Sequence, residues 1–152
     1  MAGPRAVAPL LVVLTLAACA SGPPRPAALE AGRETCASCR MVVSDARFAA
    51  QLVAPGEEPL FFDDVGCLKT YLASRPPGSD AALFVADHRT KDWIAARQAV
   101  FTRVPTLDTP MGSHVFAHAD AVSRDRDPAA AAGSAVAATE ILGPLARSGE
   151  AP

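Results

Sequence analysis

The feature that most limits the fold lies at the N-terminus. Residues 7–18 form an apolar run of about a dozen residues, interrupted by Pro9 and Thr15 and preceded by the single charge of Arg5. Such a run is too short to span a bilayer as a helix, but it suits the core of a signal peptide. It ends in Leu16-Ala17-Ala18-Cys19, with the small residues expected before a cleavage point. Residues 1–18 are therefore expected to be a signal peptide that takes no part in the fold. Residues 19–34 are rich in Pro, Ala and Gly and read as a tether, and residues 144–152 read as a disordered tail. About 110 residues remain, enough for one modest core. Fourteen basic and sixteen acidic residues are interspersed, and no Lys/Arg cluster is present. Nucleic acid is not expected as a partner.

Within the body, turn residues divide short apolar runs. Residues 47–53 and 59–62 are expected to form a hairpin around Pro55-Gly56. Asp63-Asp64 can cap a helix over 65–73 with Val65, Leu68 and Leu72 on one face, and Pro76-Pro77-Gly78 stops it. Residues 82–86 form a third strand. The order then recurs: strands over 99–104 and 114–117, a helix over 119–132 interrupted by Pro128, and a strand over 135–138 leading into a last turn at 139–142. The expectation is an α+β fold of two small strand–strand–helix–strand units packed as one compact region.

Three constellations could carry chemistry. Cys36-Ala37-Ser38-Cys39-Arg40-Met41 sits where tether meets body. A C-x-x-C pair can hold a metal, form a disulfide or attach haem. Haem attachment needs His where Arg40 stands, and a thioredoxin-like site needs a helix after the first Cys, where Val42-Val43 instead lead towards a strand. A four-Cys zinc site is excluded, since only Cys67 remains in the body. Two thiolates with the Met41 thioether form a soft set that favours Cu(I); a plain disulfide stays open. In Thr109-Pro110-Met111-Gly112-Ser113-His114, a type I turn would present Met111 at a loop tip, with His114 available as an imidazole. In Phe61-Phe62-Asp63-Asp64, a helix cap is the plain role, and Asp63 or Asp64 could also face the metal loop. Cys67 reads as a core thiol, His88 and His118 as surface residues, and Trp93 as packing. No arrangement of Ser, His and Asp and no separated carboxylate pair suggests hydrolysis, so no catalytic residues are expected.

Cys19 after its small residues resembles the lipobox of bacterial lipoproteins, and implies lipidation at Cys19. The ordered set as a whole resembles the NosL family, the nitrous-oxide reductase accessory lipoproteins. The matching pieces are Cys36-x-x-Cys39-x-Met41, Phe48-Ala49-Ala50-Gln51, Phe62-Asp63-Asp64 and Phe84-Val85-Ala86-Asp87. Asp92-Trp93-Ile94-Ala95-Ala96 and Pro110-Met111-Gly112 with Val115-Phe116-Ala117 complete the set. The family usually carries Gly where Arg40 stands. The resemblance implies a NosL-like metal-binding domain over 35–143, with halves 35–90 and 91–143. It also implies a non-enzymatic Cu(I) chaperone, with Cys36, Cys39, Met41, Met111 and His114 as ligands and room for a second metal such as Zn. Expected partners are the periplasmic or membrane machinery that matures a copper enzyme. The expected location is the cell envelope, lipid-anchored and facing the periplasm, at the outer rather than the inner membrane because Ala20 follows Cys19. The alternative is a tethered thiol–disulfide oxidoreductase using Cys36 and Cys39.

Overall fold

The structure is a computed structural model that describes residues 23–146. The signal peptide, Cys19 and residues 147–152 lie outside the described residues. Among the described residues, no helix is long and apolar enough to cross a membrane.

Two antiparallel sheets carry the fold. The first is built from β1 (Ala50–Val53), β2 (Leu60–Phe62), β3 (Ala82–Ala86) and β4 (Trp93–Ala95), in the order β2-β1-β3-β4. Helix α1 (Val65–Ser74) links β2 to β3. The second contains β5 (Val100–Arg103), β6 (Val115–His118) and β7 (Ser134–Val136), ordered β6-β5-β7, with α2 (Ala121–Asp125) between β6 and β7. Apart from β4, the two sheets have one plan: a hairpin, then a helix, then a strand on the far side of the first. The expected doubling is therefore present.

Local chemistry sets the boundaries. Asp64 caps α1 by accepting the Gly66 N–H, and Val65, Leu68 and Leu72 are buried along the helix. The first strand begins at Ala50 rather than at 47, because the Asp45 carboxylate accepts the Arg47 N–H and the next residues turn. The expected long helix over 119–132 is two short pieces, α2 and a 3-10 turn at Pro128–Ala130. Pro128 ends the first, and Asp127 caps the second through the Ala129 N–H. Residues 138–142, expected to be a turn, make a short helix, α3 (Ala138–Leu142). Strand β4 was not expected. Trp93 pairs with Ala86 and Ile94 with Val85, so the first sheet runs past residue 90 and takes in Trp93.

One core runs through both sheets and includes Phe62, Val85, Phe101, Val115 and Leu142. A smaller cluster holds Phe48, Val104, Phe116 and Ala130. The sheets are stitched where Asp87 runs parallel to Ala117: the His88 N–H donates to the Ala117 carbonyl at 2.9 Å, and Asp87 accepts from the Ala119 N–H and Ser123 hydroxyl. The segment read as tether touches this body well before Glu34. Gln51 is fully buried, accepts the Ala27 N–H at 2.8 Å and donates to the Ala27 carbonyl, while Leu29 packs on the core. At the other end Leu145 and Ala146 also pack against the core.

Candidate metal centre

The Cys36–Met41 segment leans on the edge of the first sheet. Cys36 lies parallel to Phe61, and the Ala37 N–H donates to the Phe61 carbonyl at 2.8 Å. The segment closes on itself through Cys36 N–H to the Met41 carbonyl and Arg40 N–H to the Cys36 carbonyl. Arg40 adopts φ +68°, the left-handed region where glycine fits without cost. Arg40 takes up this conformation despite its Cβ. Asp63 secures the segment's exit by accepting both the Ser44 N–H (2.7 Å) and the Ser44 hydroxyl.

The result is a cluster of three thiols. Sulfurs of Cys36, Cys39 and Cys67 lie within 4.8 Å of one another; Cys36 and Cys67 are buried, Cys39 is partly exposed, and all three are free. Cys67 enters as the third residue of α1. At about 100° per residue it lies roughly 200° round from Val65, off the expected apolar stripe. A cysteine off the expected apolar stripe is the one sequence signal that could have marked it as more than core.

The thiols differ electrostatically. Burial pushes the Cys36 thiol up, but the backbone N–H groups of Cys39, Asp63 and Ser38, with the Cys39 thiol, outweigh it and hold Cys36 below the ordinary thiol value. Burial pushes Cys67 strongly up, and the neighbouring Cys36 and Cys39 add to this. The cluster therefore sets a thiol that ionises more readily than usual beside one that resists ionising until a cation arrives.

Opposite stands the Pro110-Met111 turn. The Gly112 N–H donates to the Thr109 carbonyl at 3.0 Å, which closes the expected turn and leaves Met111 about 43% exposed. Asp64 holds this turn in place: the Thr109 hydroxyl donates to it at 2.6 Å and the Met111 N–H at 3.2 Å. A cavity of about 440 Å³ is lined by Cys39, Cys67 and Met111, with Gly66 and Ser113 in its wall. Gly66 is needed there, since a Cβ would come within 2.7 Å of the Ser113 Cβ. Lys69 and Arg103 also line the cavity and both pair with Glu140.

The fold thus brings Met111, 72 positions after Cys39 and 44 after Cys67, to the cavity that both cysteines line. Met41 stands outside the cavity lining, more than half exposed. His114 is not in the thiol cluster; its Nδ1 donates to the Leu107 carbonyl at 2.8 Å. Asp63 and Asp64 point their carboxylates at the two loops and act as their anchors. His88 and His118, expected at the surface, are buried, because each packs against Phe116 and both hydrogen-bond Asp127.

The family model NosL matches residues 26–143. No curated protein and no solved structure gives a significant match.

Proposed function

The chain belongs to the NosL family, and from that premise we propose that it is a membrane-tethered Cu(I) carrier that delivers copper for maturation of a periplasmic nitrous-oxide reductase. The family supports a copper-related role. The observation that carries the finer reading is the cluster of three cysteine sulfurs, with Cys39 and Cys67 lining a cavity that Met111 also lines. Thiolates and a thioether are soft donors, and they prefer Cu(I) to Mg(II) or Ca(II) by a wide margin.

The asymmetry of the thiols suits carriage rather than storage. Cys36, whose thiol ionises more readily than usual, can make the first bond to an ion arriving from a donor. Cys67 loses its proton to solvent only as the cation binds its sulfur, so reprotonation from solvent helps release. Cys39 and Met111 are partly exposed, which allows an acceptor to replace ligands one at a time. A lipid at Cys19 would confine the carrier to the membrane and raise its effective concentration for a membrane partner.

The test is anaerobic titration of the reduced protein with Cu(I) against a chromophoric chelator. About one Cu(I) is expected to bind, with Zn(II) as a weaker competitor for the thiolates. Cys67→Ser should weaken Cu(I) binding; a pure two-thiol redox pair would have no need of that residue. No Cu(I) uptake in the presence of a weak chelator would remove the carrier reading, and disulfide reductase activity dependent on Cys36 and Cys39 alone would favour the oxidoreductase. Cys19→Ser should release the protein from membranes or leave it unprocessed. Fatty-acid labelling of that variant at the wild-type level would refute the anchor.

A further inference from the structure

We propose that His88, His118 and Asp127 form a second metal site, separate from the thiols, that takes a borderline divalent ion of the zinc class. The three residues come from three places: His88 from the loop after β3, His118 from the end of β6, and Asp127 from the junction after α2. A nitrogen of each imidazole and a carboxylate oxygen lie within 4.8 Å of one another. His88 Nδ1 is 2.6 Å and His118 Nε2 is 3.0 Å from the same oxygen, Asp127 Oδ2. All three side chains are more than nine-tenths buried.

Without an ion this arrangement is poorly satisfied. Each neutral imidazole has one N–H, and both are directed to Asp127, so the other nitrogens, His88 Nε2 and His118 Nδ1, are left as bare acceptors. Among the described residues these are two of only three buried side-chain polar atoms with no partner. Their neighbours are aromatic: His88 lies 5.1 Å from the Phe48 ring and 4.6 Å from the Phe116 ring, and His118 lies 5.3 Å from Phe116, centroid to centroid. A ring face repels a lone pair and accepts an N–H. An ion held by the nitrogens facing Asp127 moves each imidazole proton to the other nitrogen, where an aromatic face can receive it. The same ion would balance the charge of a buried carboxylate whose other partners are the two imidazoles and the Ala129 N–H.

The ligand set also names the ion class. Two imidazoles and one carboxylate suit Zn(II) and its neighbours and offer Cu(I) no sulfur. The third unpartnered atom, Thr102 Oγ1, belongs to a residue that lines the same cavity of about 460 Å³ as Asp127, giving an ion a path to the carboxylate. Because His88 donates its N–H to Ala117 across the junction of the sheets, an ion here would cross-link the two halves.

The test uses the full-length protein in detergent, loaded with one equivalent of Cu(I) to occupy the thiols and then titrated anaerobically with Co(II) and, in parallel, Zn(II). One further equivalent is expected, with Co(II) showing ligand-field bands but no sulfur charge-transfer band. His118→Gln and Asp127→Asn should each weaken that binding at least tenfold, while Cys36→Ser leaves it unchanged. Failure of a second equivalent to bind, or binding that survives both variants, overturns the proposal. Since substitutions at buried positions can cost the fold, a second measurement uses wild-type protein alone. Zn(II) should shift the 15N resonances of His88 and His118 and spare His114. Unmoved resonances for His88 and His118 also overturn it.

Discussion

Replacing Asp64 separates helix capping from loop anchoring. Its fully buried carboxylate caps α1 through Oδ1 and holds Thr109 and Met111 through Oδ2. Asp64→Asn keeps an oxygen for the cap and puts an NH2 where the two loop donors converge. The Thr109 hydroxyl can rotate to accept from it; the Met111 N–H cannot. A cost of about 1–2 kcal/mol follows from losing charge-assisted bonds of this kind. Asp64→Ala also removes the cap, worth ~1 kcal/mol, and leaves the buried Thr109 hydroxyl only the long 3.4 Å contact to the Ser113 hydroxyl, for a total of roughly 3–4 kcal/mol. Urea unfolding at unchanged m-value measures both. Each variant should also bind Cu(I) less tightly, because the Met111 turn has lost its anchor. Equal stability of the two variants would refute the capping argument, and wild-type Cu(I) affinity in both would refute the anchoring argument.

Met111→Leu keeps volume and removes the thioether, so stability should change by less than about 1.5 kcal/mol while Cu(I) affinity falls in chelator competition; unchanged affinity would limit the site to the cysteines. Arg40→Gly relieves a left-handed φ of +68°; set against the extra freedom of Gly in the unfolded chain, the gain should be at most about 1 kcal/mol by chemical denaturation, and a loss would contradict the turn geometry. Burial pushes the Asp87 carboxyl up, but bonds from the Ala119 N–H, the Ser123 hydroxyl and the Thr90 and Arg89 N–H groups outweigh it and hold the carboxyl at about 2 against 3.8. Its folded pKa being the lower, Asp87 contributes about 2 kcal/mol above pH 3.8 that is lost as pH falls from there towards 2; in acid titrations Asp87→Asn should be less stable at neutral pH and flatter through that window.

Elements bounded by strong local chemistry were legible in the sequence. Strand β3 falls on the expected residues 82–86, α1 begins at its Asp64 cap, and the Pro110-Gly112 turn closes as expected. Strand β4 was not, because three residues carry no measurable period and only the neighbouring β3 makes them a strand. Within the candidate site, the Cys36–Cys39 pair shows its chemistry by spacing alone. Cys67 and Met111 reach it only through the packing of α1 and the Asp64 bond to the Met111 turn. His88 and His118 looked solitary for the same reason: their shared partner, Asp127, is 39 and 9 residues away, and burial follows from Phe116 and the sheet junction rather than from any local pattern.

The grip of Gln51 on Ala27 sets a length scale. With a lipid at Cys19, only the eight residue steps from Cys19 to Ala27 can stretch, and a chain fully extended spans at most about 3.3–3.6 Å per residue. The body would then ride within about 25–30 Å of the bilayer. If the proposed anchor and function hold, a carrier on so short a leash would search a disc rather than a volume, and would hand over its ion at a height set by a glutamine side chain in the first strand.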